Sequence, residues 1–243
     1  MEQIARRFVK EPVRQEKGGD SSRAVNLLGV TPLDFGSQEN VETLKENLKK
    51  NGWKVLSTWA MGDDLEILQK SGETSVNLVV SSVGLRAAKI LWEKYQIPYV
   101  IGTPNEWLAE DISNELETVI IQHSGIEQQS TIADQADPAI VYLQNRIQQD
   151  AEITLIGEPV TMGSLAAGIE KKYGHAARVF CPLKGCEALL GKRDKVVLGE
   201  EAMEEALKDS KIIVADPLYR PICPKDSTFY ELPHVAFSGR IYL

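Results

Sequence analysis

Cysteine is scarce in this chain, with Cys181, Cys186 and Cys223 the only three among 243 residues. A secreted disulfide scaffold needs a denser and even-numbered set, so the usage fits a reducing compartment. Positive charge is in deficit as well: 27 Lys and Arg face 35 Asp and Glu, a formal net charge of -8, and no basic stripe with interleaved aromatics occurs. Neutralising phosphates requires a basic face, so no nucleic-acid partner is expected. No apolar run approaches the length of a membrane span, and Met1–Arg7 lacks the apolar centre of a secretory signal. No membrane partner and a cytoplasmic location are the resulting expectations.

The common catalytic signatures are missing too. His123, His175 and His234 are scattered, with no His-x-x-x-His or His-Glu-x-x-His spacing to hold a hydrolytic zinc ion. Met162-Gly163-Ser164-Leu165-Ala166 lacks the second glycine of a nucleophile elbow. Neither G-x-G-x-x-G nor the Walker glycine–lysine pattern occurs at the strand–helix turns, which removes the strong forms of nucleotide recognition.

What the chain does contain is a construction used twice. Val25–Ser37 and Ile153–Ser164 each place an apolar strand before a glycine, a proline just beyond, and Gly-Ser ahead of a helical pattern. Strand patterns at Val25–Val30, Trp53–Trp59, Val76–Ser81 and Tyr99–Gly102 alternate with helical patterns at Glu39–Lys50, Asp63–Lys70 and Leu85–Lys94. A second series follows, with strands at Ile153–Gly157, Arg178–Cys181, Lys195–Leu198, Lys211–Ala215 and His234–Phe237, and helices at Ser164–Tyr173, Cys186–Leu190 and Glu200–Lys208. Alternation of this kind implies parallel sheets, because parallel neighbours need crossover connections. Between the series, Glu106–Ile121 and Pro138–Gln149 read as helices, with Val119–Gln122 the one strand candidate. The expected fold is α/β: two tandem Rossmann-like, doubly wound domains with parallel sheets, joined by a helical bridge. The divisions are a lead-in over 1–24, a first domain over 25–122, the bridge over 123–150 and a second domain over 151–243.

Ligands of such sheets bind beyond the carboxyl ends of the strands, which directs attention to Thr31–Ser37, Ser81–Gly84, Thr103–Asn105, Glu158–Gly163, Pro182–Gly185 and Asp216–Lys225. A helix beginning at Ser37 or Ser164 would offer unpaired N–H groups to an anion. The same glycines and serines also suffice to build tight strand–helix turns and nothing more. Glu158 and Thr161 are candidates to line a cleft between the domains, and a solvated turn is the plainer reading of Glu158. Cys181, Cys186 and Cys223 fall near strand mouths and are candidate metal ligands. An iron–sulfur cluster usually takes four cysteines, so a fourth ligand or a bridge across a dimer would be needed; buried core cysteine is the alternative.

The runs Val25-Asn26-Leu27-Leu28-Gly29 with Pro32-Leu33-Asp34, Val76-Asn77-Leu78-Val79-Val80, and Glu93-Lys94-Tyr95-Gln96-Ile97-Pro98-Tyr99 resemble the middle domain of nitrogenase component 1 type proteins. Ile153–Leu165, Ile212-Ile213-Val214-Ala215-Asp216 and Leu232-Pro233-His234 resemble the domain that follows it there. The resemblance spans about residues 24–243 and implies an oxidoreductase-like chain with a metallocluster or tetrapyrrole-like ligand in an interdomain cleft. It further implies a homo-oligomer or a nitrogenase-like partner subunit, with an external reductase as electron donor. Departures limit it. The family's N-terminal cluster-holding domain is not matched. Ser81 and Ser82 stand near the family's cofactor-anchoring cysteine and are cofactor-site candidates, yet a serine hydroxyl stays protonated and cannot replace a thiolate on iron. The family's anchoring histidine falls near Phe237–Gly239, and His234 lies a few residues too early to be assigned as that ligand. Three functions follow: a cleft-binding oxidoreductase homologue, a non-catalytic cofactor carrier or assembly partner, and a nucleotide enzyme by fold analogy alone.

Overall fold

A computed structural model describes residues 1–11, 23–126 and 138–238. A short helix, α1 (Glu2–Arg7), precedes the first unit: β1 (Ala24–Leu28), α2 (Pro32–Phe35), α3 (Gln38–Lys50), β2 (Lys54–Thr58), α4 (Leu65–Gln69), β3 (Val76–Val79), α5 (Leu85–Tyr95), β4 (Tyr99–Ile101), α6 (Ala109–Ile126) and β5 (Ala139–Ile140). The second unit runs β6 (Ile153–Ile156), α7 (Pro159–Tyr173), β7 (Ala177–Cys181), β8 (Lys195–Val196), α8 (Glu200–Leu207), β9 (Ile212–Ala215), β10 (Thr228–Glu231) and α9 (Val235–Ser238). Every strand pair is parallel. The sheet orders are β2-β1-β3-β4-β5 and β10-β9-β6-β7-β8. Counted from each unit's own first strand, these are 2-1-3-4-5 and 3-2-1-4-5, the two usual doubly wound orders. The strand order reverses between β1 and β3 in one sheet and between β6 and β9 in the other.

The structure differs from the sequence pattern at five places, one of them the helix expected over Cys186–Leu190, which is only a 3₁₀ turn at Glu187–Leu189. The helix expected over Pro138–Gln149 is replaced by β5 and a 3₁₀ turn at Val141–Leu143, because Ala139 and Ile140 pair with Val100 and Ile101. Sheet pairing outweighs the local helical pattern there. Val119–Gln122 lies inside α6 and is not a strand. The last strand is β10, upstream of the expected one, and His234–Phe237 enters the single turn of α9 instead. Finally, α7 begins at Pro159 rather than Ser164. Pro159 occupies the first helical position, where its missing N–H costs nothing, and Glu158 caps the helix ahead of it.

Burial explains the apolar strands. β1 and β3 are buried at every residue, as expected for central strands covered on both faces. Asn26 sits in that dry environment only because it is paired: its amide donates to Ser71 O (2.9 Å) and Asn77 Oδ1 (2.8 Å), and Ser57 Oγ donates to its carbonyl (2.7 Å). The units share packing, since Val160, Ala167 and Leu189 of the second belong to the core of the first. α7 is the seam. A Cβ on Gly163 would come within 2.4 Å of the Tyr142 ring, so glycine there admits the ring, whose hydroxyl donates to Leu189 O at 2.9 Å. Ser164 Oγ accepts from Thr103 N–H (2.8 Å), and its carbonyl accepts from the Asn105 amide (2.9 Å).

Candidate functional site

Both sheets aim their carboxyl edges at one shared region, and the loops that meet there leave the two points of strand-order reversal. In the first unit β1 leads through Gly29 to α2, and β3 leads to Ser81 and Ser82. Gly29 adopts φ +100, and a side chain at Gly84 would collide with Leu28 O at 2.4 Å, so the two loops lie backbone against backbone. Ser81, fully buried, donates its hydroxyl to Gly29 O at 2.7 Å and fastens this contact. In the second unit β6 delivers Glu158 and β9 delivers Asp216.

Glu158 joins the two units. Its Oε1 accepts from the Ser82 backbone N–H at 2.7 Å and its Oε2 from the Thr161 backbone N–H at 2.8 Å. Ser81, Ser82, Glu158 and Thr161 therefore do come together, in an arrangement that uses the carboxylate to cap α7 and to clasp the β3–α5 loop. Glu158 is 1% exposed, so it is not a solvated turn residue. Burial pushes its carboxyl above the ordinary value, and the two N–H bonds, acting in the opposite direction, do not cancel that effect.

Three further groups belong here that no sequence pattern marks as a set. Asp34 and His234 meet across the mouth, with His234 Nε2 3.8 Å from Asp34 Oδ1. Asp34 also accepts from Thr31 Oγ at 2.8 Å. Asp216 accepts from the Leu218 N–H (2.8 Å) and from the His234 backbone N–H (2.7 Å). Burial lowers the His234 pKa from its ordinary value, with Asp34 and Asp216 opposing that shift, so the ring favours its neutral form. The available sequence signal is the Pro-containing turn after each strand, Thr31-Pro32 and Asp216-Pro217, where the polar residue caps a helical turn.

The cysteines divide. Cys181 and Cys186 flank one loop, are almost fully buried, and interact through their side chains. Each thiol points to a loop carbonyl at 3.8 Å, Leu183 O for Cys181 and Lys184 O for Cys186. Cys223, half-buried, bonds Tyr219 O at 3.2 Å. Burial raises the pKa of all three, Cys181 to about 12. Among the described residues no three His, Cys, Asp or Glu side chains gather closely enough to hold a metal ion. The described residues of one chain therefore do not by themselves assemble the ligand set of an iron–sulfur cluster. No helix among the described residues is long and apolar enough to cross a membrane.

Two parallel sheets in tandem, with their switch-point loops interlocked, define a pair of Rossmann-like domains. The chain belongs to the nitrogenase component 1 type oxidoreductase family, whose sequence profile matches residues 1–140. It is similar to a subunit of the light-independent protochlorophyllide reductase of Anthoceros angustus, 33% identical over 108 residues covering 43% of this chain and 21% of that one. The equivalent subunit of Angiopteris evecta is 32% identical over the same extent. The chain thus spans about a fifth of the length of the curated relatives it matches. A solved structure titled "Nitrogenase Cp1 at pH 6.5" shares the fold at a TM-score of 0.52 and 12% identity, covering 95% of this chain and 56% of that one.

Proposed function

We propose that this chain acts as an accessory partner within a nitrogenase component 1-like assembly, packing beside a redox-active subunit without supplying the redox centre from its own residues. The observation that carries this reading is the state of the strand-end donors. Cys181 and Cys186 turn their thiols onto the loop carbonyls of Leu183 and Lys184, and Glu158 is already engaged by two backbone N–H groups. The reductase relatives named above are themselves single subunits, which supports a partner subunit as the companion. A homo-oligomer remains an outcome of the same experiment.

The test is anaerobic co-expression with full-length component 1 type proteins, followed by affinity purification and iron and sulfide analysis. The expected result is a stable complex in which iron and sulfide follow the full-length subunit. If this chain purified alone with stoichiometric iron and sulfide, and lost them in Cys181→Ala or Cys186→Ala, the reading would fall.

A second reading has one specific observation in its favour: the strand-end loops of the two sheets meet, Glu158 on the Ser82 N–H and His234 beside Asp34, at the usual binding place of such folds. A metallocofactor or tetrapyrrole-like ligand held there would make the chain a carrier or an oxidoreductase homologue drawing on an external reductase. Spectroscopic titration with a tetrapyrrole, compared between the native chain and Glu158→Gln, separates this from the partner reading.

A further inference from the structure

Two of the three cysteines stand at opposite ends of one loop, and the fold holds both ends. Cys181 closes β7, and its carbonyl accepts from the Val197 N–H at 2.9 Å. Cys186 opens the 3₁₀ turn at Glu187–Leu189, and its carbonyl accepts from the Leu189 N–H at 2.9 Å. Leu189 packs in turn into the core of the first unit. Both cysteines are buried, while Lys184 and Gly185 at the tip between them are exposed. Gly185 takes φ +75, and a Cβ there would meet nothing within 4 Å, so the tip turns tightly and has room to shift.

Besides their contacts to the loop carbonyls, the two thiols engage each other by a side-chain hydrogen bond, so the sulfurs are neighbours across the loop. A disulfide needs the sulfurs at about 2.0 Å, a distance reached by turning the two side chains together while the open tip adjusts. The pair is not symmetric. The bond between them favours the thiolate at Cys186 and the protonated thiol at Cys181. Burial acts against thiolate formation at both, which slows chemistry at the pair without changing its direction. Among the described residues no third metal-binding side chain gathers beside them, so the arrangement favours chemistry between the two sulfurs.

We propose that Cys181 and Cys186 form a redox modification site, which a hydroperoxide closes into a disulfide across the loop after β7. The Cys186 thiolate attacks one peroxide oxygen and breaks the O–O bond; its sulfur is oxidised to a sulfenic acid, and the other oxygen takes a proton and leaves as an alcohol, or as water from hydrogen peroxide. The Cys181 sulfur then attacks the sulfenic sulfur, and the displaced hydroxide carries off the Cys181 proton as water. Two thiols and one hydroperoxide become one disulfide, one alcohol and one water, with two electrons passed from sulfur to oxygen. In a reducing compartment such a bond is transient, and thiol reductants reopen it. While closed, it ties the end of β7 to the turn that sets Leu189 in the first unit. The proposal does not depend on the accessory-partner reading.

Peptide mass spectrometry of the full chain tests it. The reduced, folded protein is treated with hydrogen peroxide, its remaining thiols are alkylated, and trypsin cuts it after Arg178, Lys184 and Lys192. The expected product is Val179–Lys184 joined to Gly185–Lys192, short of two hydrogens and separated by reductant, with Cys223 outside the joined species. Cys181→Ser should abolish the joined product and leave a sulfenic acid on Cys186 that dimedone traps. Cys186→Ser should leave Cys181 unmodified at the same peroxide dose. Separate peptides from the treated native chain, a bond from either cysteine to Cys223 or to a second chain, or a joined product that forms only in denaturing urea would overturn the site. Dimedone trapped on Cys181 of the Cys186→Ser chain, with none on Cys186 of the other variant, would overturn the order of attack.

Discussion

Glu158 Oε1 lies 2.7 Å from the backbone nitrogen of Ser82, so one buried carboxylate of the second domain terminates a loop of the first. The same side chain caps α7 through Thr161. Removing it strands two half-buried N–H groups and a helix N-terminus together. Glu158→Ala should therefore destabilise the chain by about 2–4 kcal/mol in urea titrations. Glu158→Gln keeps one acceptor and should lose less. Amide exchange at Ser82 should rise in the alanine variant; an unchanged Ser82 rate would show that the clasp carries no stability.

Gly163 faces the Tyr142 ring so closely that a Cβ would stand 2.4 Å from it. Two effects oppose each other in Gly163→Ala. Helix propensity favours alanine inside α7 by about 1 kcal/mol, whereas overpacking a seam costs roughly 1–3 kcal/mol. The contact is far inside van der Waals distance, so overpacking should win. The variant should melt below the native chain, and Tyr142→Leu in the same chain should recover part of the loss. A Gly163→Ala protein more stable than the parent would refute the seam.

The strand–helix alternation is readable because buried parallel strands give continuous apolar runs, as at Val76–Val79 and Ile153–Ile156. Ser81, Ser82, Glu158 and Thr161 are within reach for the same reason: ligand loops follow strand ends. Their use is not legible. That a carboxylate would reach the Ser82 N–H depends on how two sheets face each other, which no local pattern encodes. β5 is hidden because two residues pairing at a sheet edge leave no periodicity, and α9 because Val235–Phe237 is too short to tell a strand from a helical turn. His234 is visible as a residue, but its proximity to Asp34 spans 200 positions of sequence and exists only once the units pack.

Two charge contacts bear on α7, and magnitude separates them. Glu170 is 5% exposed and accepts from Arg146 Nε (3.0 Å), Arg193 Nη2 (2.8 Å), and the Ile147 and Ala177 N–H groups (2.9 and 2.8 Å). Lys171 and Asp111 form an exposed pair at 2.8 Å. Deleting one partner of a buried ion network costs about 3–5 kcal/mol, while an exposed pair is worth roughly 0–1 kcal/mol. Glu170→Ala should be severe and insensitive to salt, and Lys171→Ala nearly silent. Denaturant curves at low and high salt give both numbers, and equal losses in the two variants would contradict the burial argument.

His234 and Glu158 should give the chain opposing pH dependences at the same mouth. Burial lowers the His234 pKa, so the folded state prefers the neutral ring. Its contribution is present above the unfolded value near 6.5 and is lost as pH falls from there toward the depressed folded value. Among the described residues, Asp34 from α2 and Asp216 from the turn after β9 face it, and both oppose the shift without cancelling it. Phe237 covers one side of the ring. Glu158 has the contrary sign. Its folded pKa is raised by burial first and by Asp34 further, so its contribution is complete below the unfolded value near 4.5 and is lost as pH rises through the raised folded value. Comparing the native chain with each variant isolates the two effects. The stability difference between native and Glu158→Gln should shrink as pH rises above about 4.5, while that between native and His234→Gln should shrink as pH falls below about 6.5. Urea titrations at half-unit pH steps read both slopes directly. If the two differences moved in the same direction with pH, the assignment of a buried neutral histidine beside a buried carboxyl would be wrong.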